Sequence, residues 1–231
     1  LPRLVAGTEK ACFAVTEPNT GLNTTQLKTR AERQGDHYVI NGAKVWISTA
    51  QVAEKMLILA RTTPVEEVKN HTDGLSLFYT DLDRRFVEVR EIDKMGRKCV
   101  DSNQVFIDGL RVPVEDRIGE EGKGFKYILH GMNPERILIA SEAIGLGKAA
   151  LRRATQYAGE RVVFDRPIGQ NQGIQHPLAE CWMQLEAANL MMYKAADLFD
   201  RGLPCGAEAN AAKYLGAEAG YQACLQAVMT H

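Results

Sequence analysis

One change of period divides this sequence and limits what it can fold into. Up to Pro113, apolar and polar residues alternate in short runs; beyond Gly124, apolar residues recur at every third or fourth position. Alternation fits half-buried strands, and a three-to-four repeat fits amphipathic helices. Residues 12–16, 26–33, 55–61, 75–79 and 87–89 read as strands. Asn41-Gly42 reads as a hairpin turn between strands at 37–40 and 43–48, and Asp108-Gly109 as a turn joining 104–107 to 110–112. Three stripes follow: Ile137, Ala140, Ile144, Gly147, Leu151, Ala154 and Tyr157; then Leu178, Cys181, Trp182, Leu185, Asn189 and Met192; then Tyr214, Ala217, Tyr221, Leu225 and Val228. Each predicts a long helix with that stripe against a shared core. The fold class expected is α+β: an antiparallel β-sandwich or barrel over 1–118, then an antiparallel helical bundle over 119–231.

Composition removes several function classes. The 231 residues carry a net charge of -1, which is not the basic footprint of a nucleic-acid binder. No apolar run approaches the ~18 residues needed to span a bilayer. The five cysteines are scattered, with no C-x-x-C pair, which argues against a disulfide framework and for a reducing compartment such as bacterial cytoplasm or mitochondrial matrix. The five histidines have no metal-ligand spacing, so no metal site is expected. The chain lacks an initiating Met and stops inside a helical pattern, so it is expected to be an internal piece of a longer polypeptide.

A few local patterns bear on chemistry. Gly145-Leu146-Gly147-Lys148-Ala149-Ala150 fits G-x-G-x-x-A, but it lies mid-helix without a preceding strand, so close helix packing is the better account. The glycines at 119, 122 and 124 lead into a helix and fit either an anion seat or a linker turn. Glu135 is followed directly by Arg136, Ile137, Leu138 and Ile139. Among such neighbours a carboxylate would lose hydration and rise in pKa, which suits a general base; the competing reading is a solvated helix residue paired with Arg136 or Lys126. Two strand ends, Phe13-Ala14-Val15-Thr16-Glu17-Pro18 and Val45-Trp46-Ile47-Ser48-Thr49, join apolar or aromatic walls to hydroxyls, as a planar ring ligand requires; by pattern alone, ordinary sheet with ordinary turns is the better account.

Taken in order, those two stretches, the intervening Ile40-Asn41-Gly42-x-Lys44-x-Trp46-Ile47-Ser48, then Met95-Gly96-Arg97, Asp101-Ser102, Val112-Pro113, Gly122-x-Gly124-Phe125 and Glu160-Arg161-x-x-Phe164 with Gln172 closely resemble the acyl-CoA dehydrogenases. The resemblance covers essentially the whole chain. It implies FAD and the α,β-dehydrogenation of an acyl-CoA thioester to the trans-2-enoyl-CoA, with hydride passing to flavin N5. By resemblance, Phe13, Val15, Thr16, Gly21, Trp46 and Ser48 would line the flavin. Arg161, Phe164 and Gln172 would reach the FAD of a neighbouring subunit, which implies a homo-oligomer, a tetramer or dimer. Asn133 and Arg136 would contact the acyl-CoA. Most members carry the base further toward the C-terminus, but the isovaleryl-CoA and long-chain branches place it directly before the helix Arg, where Glu135 stands.

The resemblance further implies an electron-transfer flavoprotein as acceptor. It also implies an N-terminal helical domain that is absent from this chain. One departure is Gly21-Leu22-Asn23, where the family has Gly-Ser-Asp, which puts the serine contact in doubt. Two other classes stay open: a flavin oxidase or monooxygenase of the same fold, and a non-catalytic paralogue acting as a binding or assembly module.

Overall fold

The computed structural model describes residues 1–231, and the chain resolves into two compact units, Leu1–His130 and Gly131–His231. After a one-turn helix α1 (Pro2–Val5), the first unit carries β1 (Ala11–Ala14), β2 (Arg30–Gln34), β3 (His37–Ile47), β4 (Lys55–Arg61), β5 (Leu75–Asp81), β6 (Val87–Glu91), β7 (Asn103–Pro113) and β8 (Arg117–Ile118). They form one sheet in the order β6-β7-β3-β2-β4-β5-β8, with β1 added onto β4. The long pairings are antiparallel as expected, but β1 and β2 meet β4 in parallel, so the sheet is mixed.

The apolar run of β4 has a simple cause. Met56, Ile58 and Ala60 enter one core with Tyr38, Phe78 and Val105, while Leu59 enters a second with Leu27, Leu75, Leu77 and Ile128. A strand buried on both faces loses its alternation. The second core is completed by Phe125, Tyr127 and Ile128, the first turns of the long helix α2 (Gly124–Glu160). The packing boundary therefore falls at 130/131 rather than at 118/119. Gly124 opens that helix hard against β5: a Cβ there would stand 2.4 Å from the Leu77 nitrogen. Gly122 donates its N–H to Ser76 Oγ at 2.8 Å, so the glycine-rich stretch is stitched to the sheet as a linker turn.

Neither Asn-Gly nor Asp-Gly makes the expected hairpin. β3 runs through Asn41-Gly42 and β7 runs through Asp108-Gly109, paired along their length with a register shift between Ile40 and Gly42. The two dipeptides face each other, the Gly109 N–H donating to Asn41 Oδ1 at 2.7 Å. Gly42 is needed for space: a Cβ would lie 2.4 Å from Thr29 Oγ1. The tight turn is at Gly35-Asp36, between β2 and β3, where the sequence also reads as a turn.

The second unit holds the rest of α2, a two-stranded hairpin of β9 (Val162–Val163) and β10 (Arg166–Pro167), α3 (Gln172–Asp200) and α4 (Gly206–Thr230). Helix α2 continues through Pro134, and Pro177 lies beyond the first turn of α3. Lys148 pairs with Glu186 and Lys194 with Glu208, at 2.7 and 3.5 Å, while Ala140 meets Gly216 and Ala143 meets Gly220. These contacts set α3 antiparallel to both α2 and α4. Gly147 sits where a Cβ would be 2.9 Å from Gly220 Cα, so the mid-helix glycines do serve close packing.

The stripe expected on α4 faces the wrong way. Tyr214, Tyr221 and Val228 are 66%, 65% and 72% exposed, and the buried face is Ala209, Ala212, Gly216, Ala219, Gly220, Ala223 and Ala227. Helices that approach this closely bury small residues and turn the large ones out. Trp182 on α3, expected in the core, is likewise exposed.

Candidate active site

In the sheet unit the decisive element is the end of β3. Between Lys44 and Ile47 three steps on β3 oppose two on β7, a β-bulge. Trp46 sits in it with φ 62°, and Thr49 follows with φ 68°. Left-handed backbone is costly for a bulky residue and marks a site where geometry is imposed. Its result is that Lys44 and Val45 are both buried while the Trp46 ring is turned out and 60% exposed.

The strained turn is clamped from β7 and the loop before it. Asp101 accepts the Thr49 N–H at 2.9 Å through Oδ1 and the Gln51 N–H at 3.1 Å through Oδ2. Asn103, fully buried, donates to the Ile47 carbonyl at 2.8 Å and to Asp101 Oδ2 at 2.6 Å, and accepts from Gln51 Nε2 at 2.7 Å. Burial works to raise the Asp101 carboxyl, but the donors from Asn103, Gln51 and Thr49 outweigh it and hold it below its ordinary value.

Beside this turn lies the stretch that follows β1. The Val45 N–H donates to the Thr16 carbonyl at 3.0 Å, joining the two strand ends predicted to form a ring-binding wall. Phe13 is exposed, Val15 is buried and Thr16 is half-buried. Underneath, Lys44 Nζ is out of contact with solvent and donates to Glu17 Oε1 at 2.9 Å, Leu59 O at 2.8 Å and Val15 O at 3.1 Å. Glu17 also accepts the Lys28 and Thr29 N–H groups at 2.6 and 3.0 Å. Burial pulls the Lys44 ammonium down to about 8 against the opposing pull of Glu17. Burial would raise the Glu17 carboxyl, but the Lys44 charge and the N–H donors keep it below its ordinary value. Sequence reasoning assigned no role to Lys44, Glu17, Asp101 or Asn103; the first three lie inside the quoted motifs, and Asn103, which follows Asp101-Ser102, carried no signal of its own.

These residues fit a flat, polar-edged cofactor. An aromatic face (Trp46) and an exposed Phe13 flank a half-buried Thr16 whose N–H and hydroxyl have no acceptor or donor within the protein. Ser48 is exposed on the same turn, and Gly21 borders open space in a loop where the buried Thr20 hydroxyl has no partner. Leu22 is wholly exposed, and Asn23 is used locally, its Oδ1 accepting the Thr25 N–H at 3.3 Å.

In the helical unit the expected residues fall into two groups. Asn133, Glu135 and Arg136 lie early in α2. Arg136 donates to Asn133 Oδ1 at 3.2 Å rather than pairing with Glu135. Glu135 is exposed, so the apolar neighbours in sequence do not bury it. The reason is helical rotation of about 100° per residue: Ala140 is buried and Ile137 packs on the core, while Leu138 is 67% exposed on the face that Glu135 shares. Arg161, Phe164 and Gln172 cluster about the β9–β10 hairpin, past the far end of α2, roughly 40 Å from Glu135 by helix rise. Phe164 and Asp165 form its two-residue turn with φ 52° and 62°, and Phe164 is 93% exposed.

The pattern of the acyl-CoA dehydrogenase middle domain matches residues 12–110, and that of the acyl-CoA dehydrogenase C-terminal domain matches residues 122–231. The chain belongs to the acyl-CoA dehydrogenase family. It is 38% identical, over its whole length and 59% of the relative, to the acyl-CoA dehydrogenase fadE12 of Mycobacterium bovis. Over its whole length and 60% of that relative it is 33% identical to CarC, a subunit of the caffeyl-CoA reductase-Etf complex of Acetobacterium woodii. Butyryl-CoA dehydrogenase of Megasphaera elsdenii superposes with a TM-score of 0.92 at 31% identity, covering 99% of this chain and 59% of that one. The chain thus spans about three-fifths of the length of these acyl-CoA dehydrogenase relatives.

Proposed function

We propose that the protein to which this chain belongs is an FAD-dependent acyl-CoA dehydrogenase that converts an acyl-CoA thioester to its trans-2-enoyl-CoA. The observation that carries the reading is the bulge that forces Trp46 outward beside the open polar groups of Thr16. Bound against this wall with Phe13, Val15, Gly21 and Ser48, FAD would supply a two-electron hydride acceptor. The remaining work belongs to protein groups. Glu135 takes the α-proton that the thioester carbonyl acidifies, and Asn133 with Arg136, one helix turn apart and hydrogen-bonded, holds the acyl-CoA.

Glu135 stands exposed on a strip that includes Met132, Leu138 and Ile139. An acyl chain laid over this strip would remove water from the carboxylate, so its desolvation would come with substrate rather than from its own helix.

Arg161, Phe164 and Gln172 are too far along the helical unit to serve the same site as Glu135 in one chain, which favours a contribution to the FAD of a second copy. The exposed Trp182, Leu190, Tyr193, Tyr214 and Tyr221 support an oligomer, since such apolar surface is seldom left in water. The Etf complex named for the Acetobacterium woodii relative favours an electron-transfer flavoprotein as acceptor. No helix is long and apolar enough to cross a membrane.

The test is Glu135→Gln in the intact protein, assayed on a panel of acyl-CoA thioesters with an artificial electron acceptor. Turnover should fall by about 10²–10⁴ while the yellow colour and acyl-CoA binding remain. Unchanged turnover would move the base to another residue. Rapid reoxidation of the reduced protein by air would favour the oxidase reading instead.

A further inference from the structure

The deepest charge in the sheet unit has no role in the chemistry proposed above. Lys44 is fully buried, yet its three bonds run to two separate pieces of chain: Val15 O and Glu17 in the stretch that follows β1, and Leu59 O in β4. Glu17 extends the tie through its bonds to the Lys28 and Thr29 N–H groups. Lys44 itself belongs to β3, two residues before the strained Trp46. A hydrophobic residue could fill the same volume at no greater cost, since replacing a buried ion pair by apolar side chains is often neutral or stabilising. The pair therefore calls for a reason other than stability.

We propose that the Lys44–Glu17 pair is a positioning device for the cofactor wall, fixing the Val15–Thr16 peptide so that its outward N–H meets a carbonyl acceptor on the flavin ring. The inference rests on the flavin reading of this site. The carbonyl of that peptide accepts from the ammonium on the buried side, and its N–H has no protein acceptor on the other. A peptide whose oxygen is bonded to a cation is a stronger donor at nitrogen, because hydrogen bonds in series polarise one another. The Thr16 carbonyl is held in turn by the Val45 N–H, so the donor and the Trp46 ring are set against one frame. Lys44 touches neither flavin nor substrate; it acts through Val15.

The experiment uses the intact flavoprotein with Lys44→Met, and with Lys44→Met combined with Glu17→Gln in case the lone buried carboxylate prevents folding. FAD affinity, the flavin midpoint potential and the carbonyl stretching frequencies of the bound flavin are measured on whichever variant melts cooperatively. Affinity should weaken by about tenfold, as for the loss of one good hydrogen bond. The carbonyl stretch should move up, and the potential should fall, because the reduced ring gains most from the donor. A folded variant with wild-type affinity, potential and carbonyl stretch overturns the positioning role and leaves the flavin reading intact. A wild-type protein that takes up no flavin overturns both.

Discussion

Asn103 Nδ2 donates to the Ile47 carbonyl at 2.8 Å, one residue after the left-handed backbone of Trp46. The bulge at Trp46 is therefore held by a buried side chain in addition to the β3–β7 ladder on either side of it. Asn103→Ala removes this bond and those to Asp101 and Gln51. It should cost about 1–3 kcal/mol in urea unfolding and weaken flavin uptake in parallel. Loss of stability with unaltered flavin affinity would mean that the clamp does not govern the wall.

Trp46 itself should trade stability against cofactor binding. Left-handed strain costs of order 1–3 kcal/mol, and glycine gives back about 0.5–1 in chain entropy. Because the ring is 60% exposed, little burial is lost. Trp46→Gly should thus raise the melting temperature of the flavin-free protein while FAD titration shows weaker binding. A lower melting temperature for the flavin-free variant would mean the ring supports the sheet.

Two mid-helix glycines should respond with opposite signs. At Gly145 an added Cβ meets nothing within 4 Å, so Gly145→Ala should gain up to ~1 kcal/mol of helix propensity. At Gly220 the Cβ would stand 2.5 Å from the Ala143 carbonyl oxygen, which is backbone and cannot swing away. Overpacking of ~1–3 kcal/mol outweighs the same propensity gain, so Gly220→Ala should destabilise. Equal effects in thermal melts would refute the close α2–α4 packing.

The buried pair gives stability a pH dependence with a definite sign on each side. The Glu17 carboxyl is held below its ordinary 4.5, so its contribution is complete above that value and drains away as pH falls through the lower folded value. Asp101, held below 3.8, acts in the same direction. Lys44, pulled from 10.5 to about 8, gives the same sign at high pH for a different reason: burial destabilises its charged form. Between those values the unfolded chain holds a proton the native state has lost, so this group adds stability as pH rises. Comparing urea midpoints at pH 3, 7 and 9 for wild type and for Lys44→Met with Glu17→Gln isolates these contributions. Identical profiles would show that the pair does not titrate this way.

The sequence by itself determined the element types and the family. Alternation before Pro113 and a three-to-four repeat after Gly124 are properties of the chain's own periodicity, and they gave strands before helices, although the strand expected over 26–33 begins only at Arg30. The motif residues were equally legible, because Trp46, Ser48, Thr16 and Arg161 are named by their order alone. What only the tertiary structure decided was which way things face. Asn41-Gly42 and Asp108-Gly109 carry turn chemistry, yet two long strands paired through them, because Thr29 occupies the space a side chain at 42 would need. The large residues of α4 make a good stripe on a helical wheel, yet close approach to α2 selected the alanines and glycines instead. Glu135 has apolar neighbours in sequence and water as its neighbour in space, because successive helix positions point about 100° apart. Period is a local property that each segment carries alone, whereas burial is a property of pairs of segments, and it is settled only when they meet.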